Sequence, residues 1–293
     1  MDFYLAAIIQ AMCFGPLVIG LFLSMKIFNI PDITTDGSYT LGAVIMAVGL
    51  SNGYPVMVTF FLAMAGGALA GSCTALIHTR LRIHALLAGI LMMTALYSVN
   101  LVLLGRSNVP LLGYVDLFKT FSVFAGADYN TLAILLIILM VLLATMSYLL
   151  RSDFGIAMRA TGDSELMIRA QGVNTSRMKG YGLAIANALV AASGALMAQF
   201  QGFADINMGI GIVISGLGAV IIGDTVINFL KISAVSIMLI CVLFGVIVFQ
   251  LILATALGVG VDANLLKLTT SLLVLFIVAL PRVGSALQLS KRS

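Results

Sequence analysis

Charge is what this sequence has least of. Only 9% of its 293 residues are Asp, Glu, Lys or Arg, against 61% apolar, where a soluble globular domain carries roughly 25% charged residues. The apolar residues fall into long runs almost free of charge, which excludes water as the main solvent of the chain. In a bilayer every backbone N–H and C=O must be satisfied within the protein, so only helices and closed barrels span it. The runs are continuous rather than alternating, which excludes a barrel. The expectation is an all-α polytopic transmembrane bundle, one domain over 1–293.

Other absences narrow the chemistry. The three cysteines, Cys13, Cys73 and Cys241, form no C-x-x-C pair, and their odd number excludes a simple disulfide framework. They read as small residues inside apolar stretches. No Lys or Arg precedes the first apolar run, so a cleaved signal peptide is not expected. No lysine follows a glycine, so there is no G-x-x-x-x-G-K-[S/T] phosphate loop, and no H-E-x-x-H is present. The expectation is no catalytic site, no metal and no cofactor in this chain. The formal charge of +4 is spread between apolar runs, which does not suit nucleic acid. His78 and His84 flank Arg80 and Arg82 with no carboxylate or cysteine beside them, and read as polar residues at a membrane boundary.

A membrane-spanning helix needs roughly 20 apolar residues. Runs 4–25, 55–77, 85–104, 131–150, 182–201 and 234–253 meet this, and a shorter run, 268–280, ends at Pro281. Two glycine-rich runs, 39–50 and 210–223, reach only about 18–21 Å at 1.5 Å per residue. They are expected to be broken helices, re-entrant segments, or spans completed by polar residues. Counting both gives about nine spans (roughly 8–10). Segment 151–181, with Arg151, Arg159, Arg169, Arg177 and Lys179, the Arg80–Arg82 loop, and the tail with Arg282, Lys291 and Arg292 are the basic stretches. The positive-inside rule puts all three in the cytoplasm, with the amino terminus outside and the carboxyl terminus inside. Leu41-Gly42-Ala43-Val44-Ile45 recurs as Leu217-Gly218-Ala219-Val220-Ile221, each copy after an Asp-Ile pair (Asp32-Ile33, Asp205-Ile206). The copies lie in the second and seventh crossings, five places apart, so they run in opposite directions and read as an inverted repeat, a transporter signature that points to the pathway.

No charged residue or histidine lies within the six long runs. Ion-coupled carriers often keep a charge inside the membrane because its cost is repaid by function, so energy is expected to enter from outside the bilayer. An ion-coupled secondary transporter remains the alternative. Segment 151–181 is the candidate point of entry. Asp163 reads as an N-cap, Glu165 as an acid in a positive first turn, and Gly172 as the residue that ends the helix. Leu166, Met167 and Ile168 make a candidate docking face, with Arg169 near its end. Thr34, Thr35, Asp36, Ser38, Tyr39, Asn207 and Ser215 lie beside glycines in or near the short runs and are candidate pathway residues. Tyr97 and Asn100 share one helical face inside a span and are candidates too.

Arg151-Ser152-Asp153-Phe154-Gly155-Ile156-Ala157-Met158-Arg159-Ala160-Thr161-Gly162, followed by Glu165, Ala170, Gly172, Val173 and Asn174, resembles the cytoplasmic signature of ABC importer permeases. The pattern is similar to R-T-x-F-G-x-x-x-R-A-x-G of the branched-chain amino acid and ribose permease family. Ile33–Ser38 resembles that family's D-L-S-x-G-S stretch, and Met208-Gly209 with Ala219–Gly223 resembles its M-G…A-x-V-L-G-G stretch, which adds Gly209 to the pathway candidates. Leu166-Met167 precede the Ala-x-Gly-like end, so the family's paired alanines are not matched cleanly, and Asp224 replaces the second glycine. Among relatives the chain is most similar to single permeases suggested to carry tryptophan or other aromatic amino acids. The resemblance implies a bacterial plasma-membrane permease forming the pathway for a small solute, paired with a second identical copy. It implies two cytoplasmic ATPase subunits, which hold ATP and Mg and dock on residues 163–171, with Arg159 beside them. It also implies an extracytoplasmic solute-binding protein.

Overall fold

The computed structural model describes residues 3–114, 116–121, 126–262 and 265–290, with side chains as far as residue 279. Lys291, Arg292 and the side chain of Arg282 lie outside the described residues. Helix α1 (Phe3–Leu21) runs into a π-helical turn, Phe22–Ile27, and a short link before α2 (Thr34–Ser51). Helices α3 (Val56–Arg80) and α4 (Ala85–Leu104) follow, then strand β1 (Asn108–Pro110), the single turn α5 (Leu117–Thr120) and α6 (Ala127–Arg151). Two short helices, α7 (Asp153–Asp163) and α8 (Glu165–Ala170), precede the long α9 (Thr175–Gln201). Strand β2 (Phe203–Asp205), α10 (Ile212–Phe229), α11 (Val235–Gly258) and α12 (Leu266–Ser290) complete the chain.

Seven helical segments among the described residues are long and apolar enough to cross a membrane. Helix α2 has the same 18-residue length as α10 but a polar first turn. Among the described residues the one departure from an all-helical architecture is a short ribbon. β1 and β2 pair antiparallel, with Asn108 opposite Asp205 and Pro110 opposite Phe203, which ties the end of α4 to the link before α10.

Three sequence expectations change. Neither short run is broken. Helix α2 begins at Thr34, five residues before its apolar run, and at 18 residues reaches about 27 Å. Helix α10 continues past Gly223 through Asp224 to Phe229. The hydropathy of these stretches is interrupted, but the backbone is not: Ser38 and Asp36 bond to other elements, while Thr40 and Thr225 turn to carbonyls of their own helices. Pro281 also fails to end the last helix, which continues to Ser290. Proline removes one N–H and costs a hydrogen bond without forbidding the helix.

Helix α9 is the axis of the bundle. Residues 189–199 of its alanine- and glycine-rich half are all buried, and α1, α2 and α3 pack around it. Its neighbours approach on glycine. A Cβ on Gly67 or Gly71 of α3 would fall 2.3 Å from the Asn187 carbonyl oxygen and 2.1 Å from that of Leu183. On α2, a Cβ on Gly42 would fall 1.9 Å from the Ala191 oxygen, and one on Gly194 of α9 would meet the Tyr39 oxygen at 1.9 Å. Lipid tails supply no hydrophobic drive between helices, so close backbone packing at small residues is the main source of association. The G-x-x-x-G spacing of Gly67 and Gly71 is the sequence signal for it. Gly42→Val should therefore destabilise the purified protein by about 1–3 kcal/mol or more, as overpacking against backbone does. Gly180→Ala, with nothing near its Cβ, should be neutral or slightly stabilising. Thermal unfolding in detergent compares the two.

Candidate functional site

The start of α2 carries two acids into the bundle, Asp32 buried and Asp36 partly buried. Asp32, just before the helix, is 1% exposed. Its Oδ1 accepts from the Thr34 N–H at 2.9 Å, and its Oδ2 accepts from Asn187 Nδ2 of α9 at 2.7 Å. Asn187 completes the arrangement by accepting from Ser38 Oγ at 2.7 Å and donating to the Leu183 carbonyl at 2.9 Å. Thr34 shares a 2.8 Å hydrogen bond with Thr74 of α3, and Thr35 donates to the Asp32 carbonyl at 3.0 Å. Tyr39 is buried and stacks on Phe14 of α1, with ring centroids 6.1 Å apart. Thr34, Thr35, Ser38 and Tyr39 thus point into helix packing within this chain.

Asp36 points the other way. Its Oδ2 accepts from the Gly211 N–H and its Oδ1 from the Val213 N–H, each at 3.0 Å. Helix α10 has no side-chain cap of its own at Gly211, so an acid from α2 supplies it across the bundle. The N-terminal N–H groups of a helix lack intrahelical partners and carry its positive dipole end, which an acid suits on both counts. Two glycines make the approach feasible. Gly211 has φ +84°, and a Cβ on Gly209 would fall 2.1 Å from the Asp36 carbonyl oxygen. The six long runs are free of charge, yet the folded bundle holds two carboxyl groups, because α2 starts earlier than its apolar run.

Beside Asp36 lies a cavity of about 240 Å³ between α2, α4 and the link before α10. Asp36, Thr40, Met93, Tyr97, Asn100 and Ile210 are on its walls. Tyr97 and Asn100 are brought to this cavity together. Tyr97 is 45% exposed, while Asn100 is 1% exposed and donates from Nδ2 to the Gly37 carbonyl at 3.2 Å. Asn100 Oδ1 is buried with no hydrogen-bond partner. Gly209 lies beside Asp36, whereas Asn207 is exposed, its N–H bonded to Asp205 Oδ1 at 2.8 Å. Ser215 lies elsewhere, in a separate cavity with Gln10 and Gln250. Sequence reasoning missed Asn187, since a single asparagine inside an apolar run carries no signal of a partner 155 residues away.

The second candidate region is 151–181. Its capping differs from expectation by one residue. Asp163 closes α7 and is exposed, and Ser164 caps α8, its side chain accepting from the Met167 N–H at 3.4 Å. Ser164 is extended, with φ −154°, as a cap residue must be. The helix ends at Gly172, φ +85°, with Val173 N–H bonded to the Ile168 oxygen at 3.3 Å and Gly172 N–H to the Arg169 oxygen at 2.9 Å. That is the Schellman pair of bonds. Leu166 and Met167 are 83% and 66% exposed, but Ile168 turns inward at 8%. The apolar face is therefore two residues wide.

Glu165 fastens α8 to α9. Its Oε1 accepts from Arg169 at 2.6 Å and from Thr175 Oγ1 at 3.0 Å, and its Oε2 accepts from Lys179 at 2.7 Å. The Lys179 hydrogen bond, outweighing burial and helped by Thr175 and Arg169, holds the Glu165 carboxyl below the usual glutamate range. Arg159 is half-buried on α7, and its Nε is buried without an acceptor. The same region touches the link ahead of α2. Asn29 Nδ2 donates to the Gly162 oxygen at 3.2 Å, and a Cβ on Gly162 would fall 1.8 Å from the Ile27 oxygen. The two histidines sit at helix ends. His78 Nδ1 bonds the Ile83 carbonyl at 2.8 Å, and His84 caps α4.

Comparison with known proteins agrees with this architecture. Residues 3–280 match the family described as branched-chain amino acid transport system / permease component. The chain is 33% identical over 282 residues to a tyrosine transport system permease protein of Clostridioides difficile (strain R20291), covering 95% of this chain and 91% of that one. It is 33% identical over 279 residues to an uncharacterised protein of Rickettsia prowazekii (strain Madrid E), covering 94% and 96%. Among solved structures it is similar in fold to a metal-chelate type ABC transporter in an inward-facing conformation. That likeness has a TM-score of 0.55 at 14% identity and covers 95% of this chain and 85% of the other. The chain belongs to the branched-chain amino acid transport system permease family, and is a multi-pass membrane permease component of an ABC importer rather than its ATPase.

Proposed function

We propose that this permease carries an aromatic amino acid across the bacterial plasma membrane, driven by ATP hydrolysis on separate subunits. The observation that carries the reading is the end-to-end relationship to a permease named for tyrosine transport. The cavity beside Asp36, with Tyr97 and Met93 on its walls, suits a ligand with a polar head and a flat apolar body. The test is uptake into proteoliposomes holding this chain with its ATPase and binding protein. ATP-dependent accumulation of tyrosine or tryptophan in preference to leucine and ribose is expected. Uptake that continues without ATP hydrolysis would sink the proposal.

In this reading the seven long apolar segments, α2 and α12 make nine crossings, with the amino terminus outside and the carboxyl terminus in the cytoplasm. Two copies pair around the pathway, two ATPases bind beneath, and a solute-binding protein delivers from the other side. The repeated motif supports an inverted duplication. Both Asp-Ile pairs form the same Asx turn, with Asp32 Oδ1 bonded to Thr34 N–H and Asp205 Oδ1 to Asn207 N–H. The pathway residues are Asp36, Tyr97 and Asn100 at the cavity, with Gly209 beside Asp36, Thr34, Thr35, Ser38 and Tyr39 behind them, Asn207 on the link before α10, and Ser215 in the separate cavity with Gln10 and Gln250. Helix α8 couples the ATPase. Leu166 and Met167 supply apolar contact, Asp163, Arg159, Glu165 and Arg169 supply charge, and Gly172 ends the element.

Glu165→Arg should weaken ATPase association at least tenfold while membrane insertion is unchanged, as read by co-purification. An unchanged complex would remove α8 from this role. The sign of the pH effect follows from the lowered Glu165 carboxyl. Its hold on α9 is complete above the ordinary glutamate value and is lost as pH falls through the lowered one. Hydrogen exchange of α8 should therefore speed up only in acid below that ordinary value, and Glu165→Gln should abolish the dependence.

A further inference from the structure

We propose that Asp36 and Asn100 form a subsite for the ammonium group of the transported molecule, which deepens the amino-acid reading above and rests on it. The cavity is lined by one carboxylate and by no Lys, Arg or His. Such a wall repels anions and admits a cation or a hydrogen-bond donor. A carboxylate has about four lone-pair positions, and two of those on Asp36 are taken by Gly211 and Val213. The α10 bonds hold the group rigid and leave the others to a ligand. No ion pair of Asp36 is present among the described residues, and the charge of Lys267 acts on it only through space.

Asn100 is the second, independent feature. Its Nδ2 is fixed on the Gly37 carbonyl, next in sequence to Asp36. That bond sets the amide so that Oδ1 is a buried acceptor without a donor. A buried polar atom left unpaired costs roughly 1–3 kcal/mol, and a ligand donor reaching it would remove that cost. An ammonium has three N–H donors and no acceptor, which matches two acceptors and excludes a carboxylate from the same position. Tyr97 and Met93, on the α4 wall, remain for the apolar body. This assigns the positive end of the substrate to the gap between Asp36 of α2 and Asn100 of α4, and its side chain to Tyr97 and Met93.

The test uses the full chain in lipid nanodiscs with two probes that share an aromatic ring. Tyramine carries an ammonium, and 3-(4-hydroxyphenyl)propionate carries a carboxylate instead. Saturation-transfer NMR should show tyramine bound and the propionate not bound. Asn100→Leu should weaken tyramine at least tenfold, while Asn100→Asp, which keeps an acceptor, should retain or tighten it. Asp36→Asn, which still offers one oxygen to α10, should weaken tyramine as well, and reading each variant's binding well below its own Tm separates lost binding from lost folding. Equal binding of both probes, or tyramine binding unchanged in Asn100→Leu, overturns the subsite. If tyrosine is transported and tyramine does not bind, the subsite fails while the amino-acid reading stands. If tyramine binds as described and no amino acid is taken up, the subsite stands and the amino-acid reading fails.

Discussion

Asp36→Ala is expected to unfold α10 from its amino end and to abolish transport. The carboxylate supplies two hydrogen bonds to backbone N–H groups at a helix start that has no side-chain cap of its own. Hydrogen bonds to charged groups contribute roughly 1.5–3 kcal/mol each, so the loss is about 3 kcal/mol or more. Capping residues exchanged for alanine on their own helix cost ~1 kcal/mol. The larger figure here reflects two bonds and a partly buried site where water cannot substitute freely. Asp36→Asn keeps one acceptor and should recover roughly half of the stability. Thermal unfolding of the two variants in detergent, beside hydrogen exchange at Gly211 and Val213, is the measurement. If both amides exchange at the wild-type rate in Asp36→Ala, α10 is held by its packing and the cap is incidental.

Asn187→Leu is expected to be comparably damaging for the opposite reason, a stranded acid rather than a stranded helix end. Leucine is similar in volume and suits an apolar helix, so hydropathy alone would rank the change as harmless. Asp32 is 1% exposed and Asn187 Nδ2 is its side-chain donor at 2.7 Å. Removing one partner of a buried polar pair leaves the other to bear its full desolvation, about 3 kcal/mol and more for a charged group. Ser38 would also lose its acceptor, although a helical serine can turn to the carbonyl four residues back. The decisive comparison is the double variant Asp32→Asn with Asn187→Leu. Easing the burden on residue 32 should restore much of the stability, giving a favourable coupling of 1 kcal/mol or more between the two positions. Simple additivity of the two effects would mean that the hydrogen bond contributes little.

Local signals were legible in proportion to how local their physics is. The end of α8 depends on one glycine and the residue after it, and Gly172 with Val173 announced the bonds that form. Its start was legible to within one residue. Both Asp163 and Ser164 can cap, and the choice fell to whichever is held extended by the packing of α7. The exposed pair Leu166 and Met167 could be read from composition, but the inward turn of Ile168 depends on α9 lying beneath it. Tyr97 and Asn100 could be placed on one face by helical spacing, yet which cavity that face meets was decided by α2.

The scarcity of charge that sets this sequence apart determined its solvent, its helical class and the rough positions of its spans. Every backbone group in lipid must be paired within its own segment, so length and hydropathy carry that information directly. Tertiary structure alone decided where the two carboxyl groups at the start of α2 go. Asp32 and Asp36 lie outside the apolar runs in sequence, but α2 begins early and draws them into the bundle. Their partners, Asn187, Gly211 and Val213, stand more than 150 residues away. A hydrogen bond between distant segments depends on how helices pack, and neither the period nor the composition of either segment encodes it. The charge missing from the spans was therefore not missing from the membrane domain. It was held just outside the apolar runs, at the start of α2, whose polar turn is folded inward.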